Sequence, residues 1–374
     1  MKLIHLSDLH IGKRINEFSM TDDQDYILKQ ISDICISEKA DGVMISGDIY
    51  DKSVPPSEGV GVFGSFLGRL TSHNIKVFII SGNHDSAERL SFACDILTSG
   101  GVYIAPPYSG SVSSVCADGD TVIYMLPFIK PAAVRQYFAD SSIGSYNDAV
   151  SAVLSNIHVD NSKCNILMAH QFVVPSLDSD ADAANVGGVE YIDSALFDKF
   201  DYAALGHLHK SGHVGKKCVR YCGTPLRYSF SDTTDKSITL LETSPSGVYI
   251  SEIPLHPLRT MRTIHASYDE ITLRDNYIGT NTDDYIAFCL TDEEEIPDVM
   301  SRLRTIYPNA MTVEYDNRRT REYADVSAAN PDDNKSDAEL FSQLFELQNN
   351  CAMNDEQMKI INKIIQNISN GVDY

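Results

Sequence analysis

The sequence lacks a long hydrophobic run, a paired cysteine motif and an excess of positive charge. No window of the chain approaches the roughly 18 uninterrupted apolar residues of a membrane span, so a membrane protein is not expected. The start, from Met1 to Asp8, also lacks the apolar stretch of a secretory signal, which favours a cytoplasmic location. The 8 cysteines never occur as CxxC, and we expect reduced thiols with no metal or redox role.

The shortage of positive charge bears on the choice of substrate. With 52 Asp and Glu against 30 Lys and Arg, the formal net charge is -22. Nucleic-acid binding normally uses clustered cations, so this balance weighs against a DNA substrate. The objection weakens if binding is local, through loops such as Lys216-Lys217 and Arg318-Arg319, or if a second subunit supplies a basic surface. Arg318, Arg319 and Arg321 form the densest basic run, for which a solvated surface loop is favoured over DNA contact.

Short Ile- and Val-rich runs alternate with helix-length amphipathic segments in the first half of the chain, which predicts a layered α/β fold. Strands are predicted near residues 3–6, 43–46, 77–81, 122–126, 165–169 and 202–205. Helices are predicted over 22–38 and 56–70, and antiparallel hairpins over 213–221 and 237–253.

Composition also predicts how the chain divides. We expect a catalytic domain over 1–254, a small α+β capping domain over 255–325, a linker over 326–335 and a pair of helices over 336–374. The helices carry apolar stripes that include Phe341 and Ile361, and these need a partner surface. Packing on the protein itself and docking onto another subunit both satisfy that need.

Five predicted strands end in residues able to bind metals. These elements are Asp8-Leu9-His10, Gly47-Asp48, Gly82-Asn83-His84-Asp85, His170 and Gly206-His207-Leu208-His209. In an α/β sheet, ligands collect beyond the carboxyl ends of the strands, so these residues are expected to converge on one crevice. Each element alone is a weak signal, but five in succession, with glycines for tight turns, predict a metal site.

The ligand types indicate which ions the site would hold. Carboxylate, amide and imidazole groups together favour Mn, Fe or Zn over Ca. A shared carboxylate can hold two ions about 3.5 to 4 Å apart. Asp48 is the natural bridge.

The series of motifs resembles the calcineurin-like metallophosphoesterase superfamily. Gly187-Gly188, the run over 221–229 and the C-terminal helices extend the resemblance, over essentially the whole chain, to the nuclease subunits of bacterial SbcCD-type complexes. The resemblance implies a layered metallophosphoesterase sandwich with a small α+β capping domain and a C-terminal helical pair.

The resemblance also implies a role for each site residue. Two divalent ions are expected, Mn²⁺ foremost. The implied groups are Asp8, His10 and His209 on one ion, Asn83, His170 and His207 on the other, and Asp48 between them. His84 would protonate the leaving oxygen or stabilise the phosphate, and Asp85 would orient His84 by accepting its second ring N–H.

The activity implied is a Mn-dependent DNA nuclease, a double-strand exonuclease and single-strand or hairpin endonuclease. It would act in DNA end processing, repair, recombination and replication, within a complex containing an SbcC-type ATPase subunit. The C-terminal helices would dock that ATPase, and two copies of this chain would form a homodimer within a heterotetramer. The alternatives are a stand-alone phosphodiesterase on small diesters, which the acidic charge suits, and a vestigial scaffold, which the complete ligand set disfavours.

One departure from the family pattern concerns DNA contact. Asp51 stands where some relatives carry a histidine that would help to grip DNA, which leaves the balance of exonuclease and endonuclease activity open. The stretch also lacks the arginine that grips a phosphomonoester in protein phosphatases, and this favours a diester. Structural roles are expected for the other histidines, His5, His73, His158, His213, His256 and His265.

Overall fold

Strands are distributed along most of the chain in the computed structural model. It describes residues 1–138, 143–176, 191–244, 247–317, 341–342, 345, 353–354, 357–362 and 365. In chain order the strands are β1 (Lys2–Leu6), β2 (Arg14–Ile15), β3 (Phe18–Ser19), β4 (Gly42–Ser46), β5 (Lys76–Ile80), β6 (Val102–Ile104), β7 (Ser113–Cys116), β8 (Thr121–Leu126), β9 (Cys164–His170), β10 (Val173–Val174), β11 (Ile192–Asp193), β12 (Tyr202–Gly206), β13 (Gly212–Val214), β14 (Lys216–Tyr221), β15 (Ser237–Ser244), β16 (Gly247–Pro254), β17 (Met261–Ala266), β18 (Tyr285–Leu290) and β19 (Ala310–Tyr315).

The helices lie between these strands. They are α1 (Thr21–Ser37), α2 (Ser57–Ser72), α3 (Ala87–Leu90), α4 (Cys94–Thr98), α5 (Pro131–Arg135), α6 (Tyr146–Ser155), α7 (Tyr268–Thr272), α8 (Arg274–Tyr277) and α9 (Val299–Arg304), with a 3₁₀ turn at Ser194–Phe197. No helix among the described residues has the length and apolar character to cross a membrane.

Two six-stranded sheets form the centre of the fold. The first has the order β16-β15-β1-β4-β5-β6 and the second β13-β14-β12-β9-β8-β7. Strands β1, β4 and β5 are parallel to one another, as are β8, β9 and β12. Strands β15 and β16 pair antiparallel, as do β13 and β14. The predicted strands, the two long helices and both hairpins are therefore present, with ends shifted by one or two residues.

The sheets are apolar on both faces, which explains their unbroken hydrophobic runs. Met44 of β4 lies in the core between the sheets, together with Ile166 and Met168 of β9. Its neighbours Val43 and Ile45 belong to the core that also contains α1 and α2 residues. Successive residues of a strand face opposite sides, so one run serves two cores.

Helices cover the outer faces. Ile27 and Ile31 of α1 pack in the core of the first sheet, whereas Val150 and Val153 of α6 pack in that of the second. The result is a four-layer α/β/β/α sandwich, which confirms the predicted layered class.

A smaller three-stranded sheet follows, in the order β17-β18-β19. It occupies the stretch in which the sequence predicted a small α+β unit. By contacts, the chain divides into one compact unit of Met1–Cys289 with Ile296–Glu314, and another of Leu290–Glu295 with Tyr315–Tyr374. The boundaries expected at 254, 325 and 335 remain predictions.

Several expectations fall on residues outside the described ranges. These are Gly187-Gly188, the basic run from Arg318 to Arg321, the linker over 326–335 and most of the C-terminal helix pair. Within the last region, Asn354 and Gln357 exchange reciprocal backbone and side-chain hydrogen bonds of 3.0 and 2.9 Å. Residues 357–362 are helical, within the stretch in which the sequence predicted a helix.

Candidate metal centre

The five strand ends singled out in the sequence meet at one edge of the sandwich. From the first sheet, the residues after β1, β4 and β5 contribute Asp8, His10, Asp48 and Asn83. From the second sheet, the end of β9 and the residues after β12 contribute His170, His207 and His209. The structure therefore brings all seven predicted ligands together.

One cluster of donor atoms forms around His10. Ligand atoms of Asp8, His10 and His209 all lie within 4.8 Å of one another. The Nε2 atoms of His10 and His209 are 3.1 Å apart, and His10 Nε2 lies 3.7 Å from Asp48 Oδ2.

A second cluster forms around Asn83. Its Oδ1 lies 3.0 Å from His170 Nε2 and 3.1 Å from His207 Nδ1. His170 Nε2 is also 3.5 Å from Asp48 Oδ2. Asp48 thus contacts a histidine of each cluster.

The backbone of the site is strained. Asp8, His10, Asp48 and His207 have φ angles of 53°, 45°, 50° and 108°, in the region that side chains other than glycine rarely adopt. Backbone hydrogen bonds from Asp8 N to Gly47 O and from His10 N to Asp48 O, both 3.0 Å, hold two of these loops together. Such strain costs on the order of 1–3 kcal/mol per residue and is concentrated at functional sites.

The glycines beside the ligands serve two different purposes. Gly47 has a φ of +87° and makes the tight turn that the sequence predicted. At Gly82 a side chain is excluded by close packing, because a Cβ there would lie 2.1 Å from Asp48 Oδ1. The expected turn role is therefore wrong for Gly82, which is needed for close approach instead.

The cluster has a buried floor and an exposed rim. Asp8, His10, Asp48 and His170 are at most 2% exposed. Asn83, His84 and His209 are exposed. The exposed rim is therefore the part of the site that solvent reaches directly.

Burial sets the protonation preferences of Asp8, His10 and His207. Loss of solvent raises the pKa of Asp8 to about 6. The same effect lowers the pKa of His10 to about 3 and that of His207 to about 4. These imidazoles are therefore neutral near pH 7, the form that binds metals.

His170 and Asp48 behave as a pair. Burial opposes a charge on His170, but its hydrogen bond to Asp48 and the charges of Asp8 and Asp48 outweigh it and raise the His170 pKa to about 9. Burial likewise opposes a charge on Asp48, yet His170 and His10 hold the Asp48 pKa below its usual range. The two form a buried ion pair, so a metal that binds His170 must displace its proton.

This donor set fits divalent cations. The Nε2 atoms of His10 and His209 face each other. The carboxamide oxygen of Asn83 lies close to one ring nitrogen of His170 and one of His207. Among the described residues, no Lys or Arg lies within 4 Å of the buried carboxylates of Asp8 and Asp48. A bound metal ion would replace the His170 proton as the positive charge beside these carboxylates, and mixed N and O donors suit Mn, Fe or Zn.

His84 is held by a different residue from the one expected. Its Nδ1 lies 2.9 Å from the backbone oxygen of Asp51, which can only accept, so Nδ1 carries the hydrogen. The Asp85 carboxylate instead accepts backbone N–H groups of Gly82, Ile49 and Tyr50 at 2.9 to 3.1 Å. The expectation that Asp85 accepts the His84 ring N–H is therefore wrong: Asp85 ties the loop after β5 to the loop after β4.

Residues that the sequence did not single out support the ligand loops. Gln24 Nε2 donates to His10 O at 2.7 Å, and its Oε1 accepts from Gly12 N at 2.9 Å. Lys236 Nζ donates to His209 O at 3.0 Å, and Thr224 N donates to the same oxygen at 3.1 Å. Thr224 belongs to the 221–229 run, which the sequence marked only by resemblance. No motif announces Gln24 or Lys236.

Comparison with known families covers most of the chain. Residues 1–211 match the sequence family described as calcineurin-like phosphoesterase. Residues 256–349 match the family described as the type 5 capsule protein repressor C-terminal domain.

A curated relative extends across both regions. It is the SbcD subunit of the SbcCD nuclease of Staphylococcus epidermidis (strain ATCC 12228 / FDA PCI 1200). It is 32% identical over 319 residues, which make up 84% of this chain and 85% of the relative.

The matching solved structures are more distant. A dimetal phosphatase from Danio rerio is 12% identical with a TM-score of 0.39, covering 69% of this chain and 98% of its own. A Thermus thermophilus protein is 9% identical with a TM-score of 0.40, covering 67% and 98%. Similarities this distant identify no substrate.

Proposed function

Because the chain belongs to the calcineurin-like phosphoesterases, and within them to the family of the SbcD nuclease subunit, we propose that this metal-dependent phosphoesterase is a Mn²⁺-dependent DNA nuclease. The proposed activities are those of a double-strand exonuclease and a single-strand or hairpin endonuclease. The observation that carries the proposal is the convergence of seven metal-binding side chains at the edge of the sandwich.

The proposed ligands fall into two sets that share Asp48. Asp8, His10 and His209 hold one ion, and Asn83, His170 and His207 hold the other. The distances of 3.7 and 3.5 Å from Asp48 Oδ2 to His10 and His170 support its place between the two ions.

Two divalent ions bound there would neutralise the phosphate and lower the pKa of a water molecule, so that hydroxide forms near neutral pH. His84 does the remaining proton chemistry in this proposal. Its Nδ1–H is fixed on Asp51 O, so Nε2, 4.0 Å from Asp48 Oδ2, points into the site. In the doubly protonated form of His84, Nε2 carries a second hydrogen, which it donates in a hydrogen bond or as a proton to the leaving sugar oxygen, leaving a neutral ring.

The exposed rim favours a polymer substrate. Asn83, His84 and His209 are accessible, so a phosphodiester within a chain can contact these side chains. The positions after Asp48 are Ile49 and Tyr50, with no arginine to grip a monoester dianion. Both features suit a diester.

A place in a larger complex is the second part of the proposal. The relative is named as a subunit, and its similarity continues beyond the phosphoesterase region of this chain. We propose that the C-terminal helices dock an SbcC-type ATPase and that two copies of the chain form a homodimer within a heterotetramer. Such an assembly would act in DNA end processing, repair and recombination.

A nuclease assay tests the activity. The purified chain is incubated with end-labelled linear DNA and, separately, with a phosphomonoester, in Mn²⁺, Mg²⁺ or chelator. We expect Mn²⁺-dependent cleavage of DNA, little monoester turnover, and a sharp fall in the variant His84→Ala.

The result that would overturn this function is intact DNA, even with the partner ATPase and ATP, while small diesters are hydrolysed. The net charge of -22 makes that outcome the natural alternative. The protein would then be a stand-alone phosphodiesterase on small diesters.

A further inference from the structure

A polar cleft opens beside the metal ligand His209. Its volume is about 630 Å³, and its walls are Lys13, Leu208, His209, Lys210, Tyr228, Ser229, Ser231, Asp232, Thr233 and Thr234. Pockets that hold small ligands span about 300–1,000 Å³, so the cleft has room for a nucleotide unit.

Lys13 is a positioned cation at the inner end of this cleft. Its Nζ lies 2.6 Å from Asp51 Oδ1 and 5.6 Å from the centre of the Tyr228 ring. Its charge helps to lower the pKa of both His10 and His209, after the larger effect of burial. Lys13 also belongs to the loop that carries His10, because its backbone N–H donates to His10 O at 3.1 Å.

The outer part of the cleft offers a second cation and several hydroxyls. Lys210 is exposed, and among the described residues it has no carboxylate within 4 Å. Ser229, Ser231 and Thr233 are also exposed on the facing loop. Lysine and hydroxyl side chains are the groups that contact nucleic-acid phosphates.

The acidic residue of the cleft is neutralised. Asp232 Oδ2 lies 2.5 Å from Lys236 Nζ, and Asp232 Oδ1 accepts from Thr234 N at 3.1 Å. Lys210 therefore gives this wall a local positive charge on a protein whose overall charge is negative. The net charge of -22 weighs against DNA binding by the protein as a whole. Local binding requires cations only along the path of the strand, and the cleft provides them there.

We infer that this cleft binds the phosphodiester next to the scissile one in a nucleic-acid strand, with Lys13 and Lys210 as its phosphate-binding residues. The inference rests on the proposed nuclease function and names the groups that position the substrate. Asp51 then acts through Lys13: its carboxylate holds the lysine while its backbone oxygen holds His84. This gives Asp51 a role other than direct contact with DNA.

The test compares two substrates on the full-length, Mn²⁺-loaded chain. Bis(p-nitrophenyl) phosphate has a single phosphate, the one that is cleaved. A thymidine trinucleotide has a second phosphate next to the one that is cleaved. We expect Lys13→Ala and Lys210→Ala to lower kcat/KM for the trinucleotide about tenfold more than for the small diester, mainly through KM, since each removes a charged hydrogen bond. Lys13→Arg should restore most of the difference.

Lys163→Ala is the matched control. Lys163 directly precedes β9, at the opposite end of that strand from His170, and its removal should leave the ratio of the two activities unchanged. If Lys13→Ala impairs metal binding, Lys210→Ala carries the test, because Lys210 is exposed and forms no ion pair among the described residues. An equal loss on both substrates in Lys210→Ala overturns the inference.

The assay separates this inference from the nuclease proposal. If the wild-type chain hydrolyses the small diester but not the trinucleotide, the nuclease function fails. The trinucleotide is then used as an inhibitor of the small diester. Inhibition that weakens about tenfold in Lys210→Ala supports the cleft as a phosphate site, and no inhibition of the wild type overturns it.

Discussion

Both carboxylate oxygens of Asp8 lie 3.1 Å from the backbone nitrogen of His207. Asp8 follows β1 in the first sheet, and His207 follows β12 in the second. One side chain thus ties the two sheets together at the edge where the proposed metal ligands meet. We therefore expect metal binding and the packing of the sheets to be coupled.

Replacing Asp8 by asparagine separates these two roles. Asp8→Asn keeps an acceptor for the His207 N–H but loses the negative charge. We expect a folded protein whose thermal unfolding temperature Mn²⁺ raises much less than in the wild type, because ligand binding stabilises the native state. Activity should fall by more than the 10–100-fold typical of residues that only support a ligand. Asp275→Asn, on the exposed surface, is the control, and an undiminished Mn²⁺ shift in Asp8→Asn would contradict the assignment.

Gly82 tests how tightly the loops approach. Gly82→Ala places a methyl group 2.1 Å from Asp48 Oδ1, so we expect a loss of about 1–3 kcal/mol in the free energy of unfolding and weaker Mn²⁺ binding. Gly61→Ala is the matched substitution. Gly61 lies in α2 with nothing within 4 Å of its Cβ position, and alanine there should add about 0.5–1 kcal/mol. Denaturant unfolding measures both, and equal effects would refute the steric argument.

Asp85 should prove a positioning residue rather than a proton-transfer group. Asp85→Ala leaves three backbone N–H groups without their acceptor, which we expect to lower the free energy of unfolding by about 3 kcal/mol or more. Asp85→Asn retains one acceptor oxygen and should lie between the alanine variant and the wild type. The pH profile of kcat should keep its shape in Asp85→Asn. A profile that loses one limb would instead show that Asp85 takes part in proton transfer.

The burial of His5 leads us to expect that the fold is sensitive to acid. It is fully buried beside Tyr202, and burial lowers its pKa to about 3 from an ordinary value near 6.5. Between these values only the unfolded chain is protonated, so stability is fully present above about pH 6.5 and falls as the pH drops towards 3. The slope is at most about 1.4 kcal/mol per pH unit.

The measurement for His5 is the free energy of unfolding from pH 7 to pH 4, with chelator present. His5→Asn keeps a polar atom near the Nδ1 position and cannot titrate, so its curve should be flatter than that of the wild type by about one proton. Parallel curves would show that His5 does not contribute to the acid sensitivity.

The sequence predicted which residues would converge on the candidate metal site better than it predicted the groups that hold them. Asp8, Asp48 and His207 could be found because each lies directly after an apolar run, and the geometry of parallel strands does the rest. Gln24 and Lys236 could not, because each makes a long-range contact with a backbone oxygen that depends on how the elements pack. The error at Asp85 has the same origin: sequence proximity to His84 suggested a contact, whereas the loop directs the carboxylate towards backbone N–H groups.

Predicting the two-sheet architecture depended on the resemblance. Hydrophobic periodicity identified the strands, but it does not tell which strands share a sheet. The pairing of β1 with both β4 and β15 is a long-range choice that no local pattern encodes.

The pairing of β1 with β15 also determines when the first sheet can be completed during synthesis. β1 leaves the ribosome long before its antiparallel neighbour β15, which begins only at Ser237. One edge of β1 must therefore stay unpaired while more than half of the chain is made, and exposed strand edges invite wrong partners. The last proposed ligand, His209, also emerges late, so a nascent chain has no complete metal site until most of the sandwich has been translated.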